Sequence, residues 1–249
     1  MSGLRRILAA LVLLSPGLAP AQKLTIAAAS DLGLALKEIA SDFERQHHAK
    51  VAIVLGSSGN LYQQIRNGAP FDVFLSADAQ YPSDLHKDGL ADAPIVYATG
   101  RLALLCSAGV PRAGATRPRI ADLLTDPTLT HLAIANPQHA PYGRAAVALL
   151  EKLGIKDQVE SRLVRAENIA QAVQFVDSGN AEVGIVALSL VNQRKDGWTK
   201  VPEELYPAIE QSGVVIARSP EQKIGAAFLT FLQSETAKTV LRKYGFGVR

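Results

Sequence analysis

The stretch LGSSGNLYQQIRNGAPFDVFLSAD, Leu55–Asp78, decides which fold this chain can adopt. An apolar run, Val51–Leu55, leads into its Gly-Ser-Ser-Gly turn, and Leu61 and Ile65 then follow with helical spacing. A strand is therefore predicted to feed a helix through a turn that bears hydroxyls. Helix starts present free backbone N–H groups and the positive end of the helix dipole. This combination predicts an oxyanion site, and the alternative is that Ser58 only caps the helix.

The same arrangement occurs one strand-helix unit earlier in the chain. Leu24–Ala29 (LTIAAA) predicts a short strand, and Ser30 stands at the N-cap position of a predicted helix that includes Leu36 and Ile39. In a parallel sheet both turns emerge at the carboxyl edge, where open α/β sheets bind ligands. We therefore expect Ser30 and Ser58 to face one anion.

Strands and helices alternate along the rest of the chain. The predicted strands are Phe71–Leu75, Leu102–Ser107, Leu132–Ala135, Val183–Leu188 and Gly213–Ala217, and the last two predicted helices are Glu221–Leu232 and Glu235–Lys243. This alternation predicts an α/β fold with largely parallel strands. Pro141 precedes a further predicted helix, which would leave the N–H of Tyr142 uncommitted. Asn168 stands at the start of another and is interpreted as a local cap.

The first 21 residues have the pattern of a secretory signal peptide. Arg5 and Arg6 form a positive start, Ile7–Leu14 an apolar core, and Ala19–Ala21 a small-x-small cleavage site. We expect cleavage after Ala21 and export to the periplasm; the alternative is a buried N-terminal helix. The remaining residues include 24 basic and 23 acidic side chains, so the charge balance gives no reason to expect a nucleic-acid partner.

The cysteine and the histidines give little indication of catalysis. Cys106 is the only cysteine and ends an apolar run, so we interpret it as a small buried hydrophobe. His47 and His48 are expected to be exposed at a helix end. His139 is interpreted as a loop residue, since no nucleophile lies beside it in the sequence. An exported enzyme is therefore the less favoured function, and a turnover assay with phosphate and sulfate esters would detect one.

Five segments resemble, in this order, the periplasmic molybdate-binding proteins of bacterial ABC transporters. They are Ala27–Ser30 (AAAS), Gly56–Asp78, Ala135–Ala146 (ANPQHAPYGRAA), Ala166–Ser189 and Arg242–Val248 (RKYGFGV). The resemblance implies the two-lobed type II periplasmic-binding-protein fold, with mixed, mainly parallel sheets flanked by helices. Residues 22–98 and 214–249 would form lobe one, and residues 99–213 lobe two. It also implies a monomer without a cofactor that binds molybdate or tungstate and delivers it to an inner-membrane ABC permease.

The same resemblance implies how the oxyanion is held. Ser30 and Ser58 match positions that donate from hydroxyls, while Tyr142 and Ile169 match positions that donate from backbone N–H groups. These groups would contact oxyanion oxygens and would not be direct ligands of the metal atom. Such a lining would favour a fully ionised dianion over hydrogen phosphate, whose proton needs an acceptor, and over the smaller sulfate.

One position departs from the family pattern. A tyrosine that donates to the ligand in the family aligns with Ala187, which has no donor. Either the site makes one hydrogen bond fewer, or another group replaces the tyrosine. We expect either Ser189, two residues further along the predicted strand, or the phenol of Tyr142 to compensate. Whether Asp31 or Asn60 assists the site stays open in the sequence. Because of this departure, a second hypothesis stays open: the chain is a binding protein for sulfate, thiosulfate or another oxyanion.

Overall fold

The computed structural model describes residues 23–110 and 114–248. The predicted signal peptide, residues 1–21, lies outside the described residues. Ten strands occur in the described chain. They are β1 Lys23–Ala29, β2 Lys50–Gly56, β3 Val73–Ser76, β4 Ile95–Gly100, β5 Leu102–Cys106, β6 Leu132–Ala135, β7 Leu163–Ala166, β8 Val183–Ala187, β9 Trp198–Lys200 and β10 Ile209–Val215.

Nine α-helices connect or flank these strands in the part of the chain that the structure describes. They are α1 Gly33–His47, α2 Ser58–Arg66, α3 Gln80–Lys87, α4 Arg117–Thr125, α5 Pro141–Leu153, α6 Lys156–Val159, α7 Ile169–Asp177, α8 Gln222–Leu232 and α9 Glu235–Lys243. Short 3-10 turns occur at Ser30–Leu32, Glu160–Arg162, Leu188–Leu190 and Glu203–Leu205. Over 23–110 and 114–248, no helix has the length and apolar character needed to cross a bilayer.

Two five-stranded sheets form the two lobes of an α/β fold. Strand order is β2-β1-β3-β10-β4 in the first sheet and β7-β6-β8-β5-β9 in the second. Each sheet is mixed, with two parallel and two antiparallel pairings. The antiparallel pairings involve the strands next to the two crossings between lobes, so the sheets contain fewer parallel pairings than the alternation of elements predicts.

The lobe boundaries differ from the predicted ones. Only Arg101 separates β4 of the first sheet from β5 of the second, and residues 201–208 lead back from β9 to β10. The predicted boundaries, 98/99 and 213/214, both fall inside strands of the first sheet. The second was placed too late because Glu210, Gln211 and Ser212 interrupt the apolar pattern of β10.

The inner strands β1 and β3 of the first sheet are largely buried on both faces, which explains their nearly continuous apolar sequences, whereas the edge strand β2 is partly exposed. Leu24 and Ile26 contribute to a core that also contains Phe43 and Phe228, while Ala27 of the same strand faces a second core. The second sheet has a single large core that includes Ala29 and Ala77 from the strand ends of the first. The two lobes therefore pack on each other where their strands end.

Two smaller predictions from the sequence are confirmed. Cys106 is buried at the end of β5, as expected for a small hydrophobe. His47 and His48 are exposed at the end of α1, where His48 adopts a left-handed conformation with φ 51° and His47 stacks on Phe43.

Candidate functional site

A small cavity lies where strand ends of both lobes meet helix starts. Free space in the cavity is about 10 Å³, roughly the volume of one water molecule, so the lobes are closely apposed. Its lining consists of Ala29, Ser30, Asp31, Gly56, Ser57, Ser58, Ala77, Ala140, Pro141, Tyr142 and Ile169. The structure thus brings together Ser30, Ser58, Tyr142 and Ile169, which lie far apart in the sequence.

The hydroxyls of Ser30 and Ser58 do not cap their own helices. Ser30 begins a 3-10 turn and Ser58 is the first residue of α2, and neither helix start has a side-chain cap. The alternative that Ser58 is only a cap is therefore wrong, as is the N-cap position predicted for Ser30. Ser30 Oγ accepts from the N–H of Ala170 at 3.3 Å, and Ser58 Oγ accepts from the N–H of Ala77 at 3.0 Å. Each hydroxyl is the acceptor in these hydrogen bonds, so its own O–H is not used by them.

Two helix starts of lobe two present unused backbone N–H groups. Tyr142 follows Pro141 at the start of α5, and Ile169 is the first residue of α7. Neither N–H has a hydrogen-bond acceptor among the described residues. Asn168 caps α7, as predicted, by accepting from the N–H groups of Ala170 and Gln171, both at 3.1 Å. The cap satisfies the second and third N–H groups of the helix and leaves the first, that of Ile169, without an acceptor among the described residues.

The cavity lining contains no Lys, Arg or His among the described residues, and Asp31 is its only carboxyl. Asp31 is fully buried, and its Oδ2 accepts from the Tyr142 hydroxyl at 3.0 Å and from Gln211 Nε2 at 2.9 Å. Loss of hydration raises the pKa of Asp31 to about 7, against the lowering effect of these hydrogen bonds. Burial, followed by the nearby charge of Asp31, raises the pKa of Tyr142 well above its usual value.

Ala187 and Ser189 do not line this cavity. Ala187 ends β8 and is buried against Leu102. Ser189 belongs to a 3-10 turn, so the expectation that it continues the strand two residues beyond Ala187 is wrong. Its hydroxyl donates to the backbone carbonyl of Asp31 at 2.8 Å. Both hydroxyls expected to replace the family tyrosine, Ser189 and the Tyr142 phenol, thus hydrogen bond to Asp31 in this structure.

His139 contributes to the closed arrangement of the lobes. Its carbonyl accepts from the N–H of Gly59 at 2.9 Å, and its Nδ1 lies 2.9 Å from Ser57 Oγ. A Cβ on Gly59 would lie 2.7 Å from that carbonyl, so only glycine allows this approach. Local sequence does not indicate a hydroxyl beside His139, because Ser57 is 82 residues away. Glu167 completes a row, with its Oε2 3.8 Å from His139 Nε2.

Polar contacts between the lobes continue around the cavity. Arg144 of α5 forms an ion pair with Asp78, which follows β3, and Asn60 of α2 donates to Glu167. Asn60 therefore bridges the lobes and is absent from the cavity lining. Sequence reasoning missed Gln211, the partner of Asp31, because it lies in the polar run Glu210–Ser212. That polar run directly before the apolar segment Gly213–Ala217 is the signal that could have found it.

A two-lobed fold that closes over a small polar site defines the class of solute-binding proteins. The chain belongs to the family of bacterial extracellular solute-binding proteins, which it matches over residues 24–247. It is 38% identical over 242 residues to the molybdate-binding protein ModA of Azotobacter vinelandii, covering 93% of this chain and 92% of that protein.

Two further comparisons agree with this assignment. The molybdate-binding protein ModA of Rhodobacter capsulatus is 39% identical over 234 residues, which cover 92% of this chain and 89% of that protein. A solved structure, the Azotobacter vinelandii periplasmic molybdate-binding protein, superposes with a TM-score of 0.84 at 31% identity. The superposition covers 91% of this chain and 99% of that one.

Proposed function

We propose that this protein captures molybdate, and also tungstate, between its lobes and delivers the ion to an ABC permease in the inner membrane. The observation that carries the proposal is the set of four donors around one cavity: the hydroxyls of Ser30 and Ser58 and the N–H groups of Tyr142 and Ile169. Two relatives and one solved structure that resemble the chain over most of its length are molybdate-binding proteins by name.

The four donors can stabilise the negative charge of the ligand without a cationic side chain. Helices α2, α5 and α7 direct their N-terminal ends to the cavity, and a helix N-terminus stabilises negative charge through its dipole and its free N–H groups. A fully ionised tetrahedral anion can accept from every donor. Sulfate has the same charge but is smaller, so it cannot reach all donors at good distance.

Closure of the lobes makes the bound state recognisable to a permease. Ser30 accepts from Ala170, and Gly59 donates to His139, so contacts between lobes adjoin the donor positions. A ligand that bonds to both lobes favours the closed form, because it interacts with that form more strongly than with an open one. Export through the predicted signal peptide would place the protein in the periplasm, where the ion is captured.

Titration calorimetry of the mature, ligand-stripped protein tests the proposal. Molybdate and tungstate are expected to bind tightly and sulfate weakly. A hydrogen bond to a charged group contributes about 1.5–3 kcal/mol, so Ser30→Ala and Ser58→Ala should each weaken molybdate binding about 10- to 100-fold. Equal binding of sulfate would instead favour another oxyanion as the ligand. Unchanged affinity in both variants would show that the two hydroxyls do not bind the ion.

One observation favours a second candidate function, an exported hydrolase. Ser57, His139 and Glu167 lie in a row, and a serine beside a histidine is the arrangement of an activated nucleophile. The distance of 3.8 Å from His139 to Glu167 is too long for a hydrogen bond, and the ring joins the two lobes. Hydrolysis of a phosphate, sulfate or carboxylate ester that Ser57→Ala abolishes would establish catalysis; absence of turnover leaves binding as the function.

A further inference from the structure

Asp31 is a carboxyl in a site where an anion is proposed to bind. It follows β1, lines the cavity beside Ser30 and has no exposed surface. A carboxylate at this position would repel a dianion through a medium of low dielectric, where charges interact strongly. The residue is therefore either incompatible with the proposed ligand or uncharged when the ligand binds.

The two carboxyl oxygens of Asp31 differ in their hydrogen bonds. Oδ2 accepts from Tyr142 and Gln211, and the backbone carbonyl of Asp31 accepts from Ser189. Oδ1 is buried and has no hydrogen-bond partner among the described residues. A buried polar atom without a partner is costly, and such atoms in a native fold require an explanation.

Groups that face Asp31 supply no positive charge. Tyr142 projects from α5 and Tyr97 from β4, and both interact with the Asp31 carboxyl as neutral phenols with raised pKa values. Gln211 faces it from β10, and Ser189 from the turn after β8. No Lys, Arg or His is among the causes of its pKa shift. The hydrogen bonds from Tyr142 and Gln211 and the backbone N–H groups of Asp31 and Leu32 favour the charged form, but the loss of hydration outweighs them and raises the pKa.

We propose that Asp31 binds the oxyanion as a neutral acid and that its Oδ1–H donates a hydrogen bond to a ligand oxygen. This inference rests on the proposed function and adds a fifth donor to it. Because Oδ2 already accepts two hydrogen bonds, the proton belongs on Oδ1, which needs an acceptor. An oxygen of a fully ionised dianion is such an acceptor, whereas hydrogen phosphate would place its own proton against this donor.

Binding is then linked to proton uptake. In the ligand-free protein, burial raises the pKa of Asp31 to about 7, and a bound dianion raises it further because it favours the neutral form. Below that pKa, the carboxyl is already protonated and affinity does not depend on its titration. Above it, each bound ion takes up one proton, and affinity falls about tenfold per pH unit.

Calorimetry of molybdate binding to the mature protein from pH 6 to pH 9 tests the inference, in paired buffers of different ionisation enthalpy. The wild type is expected to bind about tenfold more weakly per unit above pH 7 and to take up about one proton at pH 8. In Asp31→Asn, an amide oxygen still accepts from Tyr142 and Gln211 and an N–H₂ replaces the acid donor. This variant should bind molybdate without pH dependence between pH 6 and pH 9 and without proton uptake.

Three outcomes would overturn the inference. One is tight molybdate binding by the wild type that is flat from pH 6 to pH 9 with no proton uptake. Another is an Asp31→Asn variant with the same slope as the wild type. The third is binding of hydrogen phosphate by the wild type that the variant loses, because the carboxylate would then act as an acceptor.

Two further readouts separate failure of this inference from other failures. Absence of binding by any oxyanion at any pH would reject the proposed function itself. If Asp31→Asn does not fold, carbon-13 NMR of the aspartate carboxyls in the wild type decides the matter: the Asp31 titration is expected to move above pH 9 on adding molybdate. A midpoint that stays in place or falls would contradict the neutral form.

Discussion

The buried carboxyl of Asp31 also links the stability of the ligand-free protein to pH. Its pKa rises from 3.8 to about 7 on folding, so the folded protein binds this proton more tightly than the unfolded chain does. The titration of Asp31 therefore does not lower the free energy of unfolding below pH 4. Above pH 4 it lowers the free energy of unfolding progressively as pH rises to 7. By linkage this lowering reaches roughly 4 kcal/mol.

Asp31→Asn removes this titration and provides the measurement. The difference in unfolding free energy between variant and wild type, from urea titrations without ligand, should shift in favour of the variant by several kcal/mol between pH 4 and pH 7. Comparing the two proteins at each pH cancels the other titrating groups. A difference that is constant across this range would mean that Asp31 has the same pKa in the folded and unfolded states.

Single residues also show what the sequence could predict about the site and what it could not. Ser30 and Ser58 were predicted to meet because each follows a strand, and parallel strands end at one edge of a sheet. Asp31 was recognisable only as a residue beside that turn. Its contact with Gln211, 180 residues away, depends on the pairing of β10 with β3 and β4, which local pattern does not determine.

At the level of the element, the start of α7 combines a structural and a functional role. Asn168→Ala should lower the unfolding free energy by about 1 kcal/mol, as the loss of a side-chain cap usually does. Asn168→Asp should keep most of that stability, because a carboxylate also caps, but its negative charge beside the cavity should weaken molybdate binding. Urea unfolding and calorimetry on both variants separate the two effects.

A matched control lies at the start of α9. Ser234 caps that helix by accepting from the N–H of Ala237 at 3.3 Å, away from the cavity lining. Ser234→Ala should lose a similar amount of stability without any change in affinity. If Asn168→Asp bound molybdate as well as the wild type does, the charge at this helix start would not act on the site.

The bounds of helices and strands were predictable where the hydrophobic period stops at residues that end such an element. The bounds of β6 and α9 match the predicted ones, because an apolar run or an amphipathic run is interrupted sharply at both ends. In β10 the polar Gln211 and Ser212 are buried, and the prediction depended on an apolar signal that these residues lack; Gln211 is accommodated by its hydrogen bond to Asp31. The 3-10 turns at Ser30 and Ser189 were missed for a related reason, since each lies where a regular pattern ends.

For the whole molecule, the ion pair between Arg144 and Asp78 provides a test of lobe closure. Both side chains are partly exposed, and such pairs contribute at most about 1 kcal/mol. Since the pair joins the two lobes, Arg144→Ala should weaken molybdate binding about two- to fivefold, and less so at high salt. Calorimetry at low and high ionic strength measures this effect.

An ion pair within lobe two supplies the control. Arg194 and Asp177 are exposed to a similar degree but do not join the lobes. Arg194→Ala should leave the affinity unchanged. A loss of affinity in both variants, or in neither, would show that the pair between lobes has no specific part in closure.

Division of the cavity lining between the lobes has a kinetic consequence. Lobe one contributes Ser30 and Ser58 to the lining and lobe two contributes Tyr142 and Ile169, so neither lobe alone offers the full set of proposed donors. An ion held this way leaves only after the lobes part, and its residence time is therefore set by how often they open. Arg101 and residues 201–208 are the two connections between the lobes, so the lobes would open by rotation about these two short segments. A permease that pulls the lobes apart would control the moment of release without touching the ion.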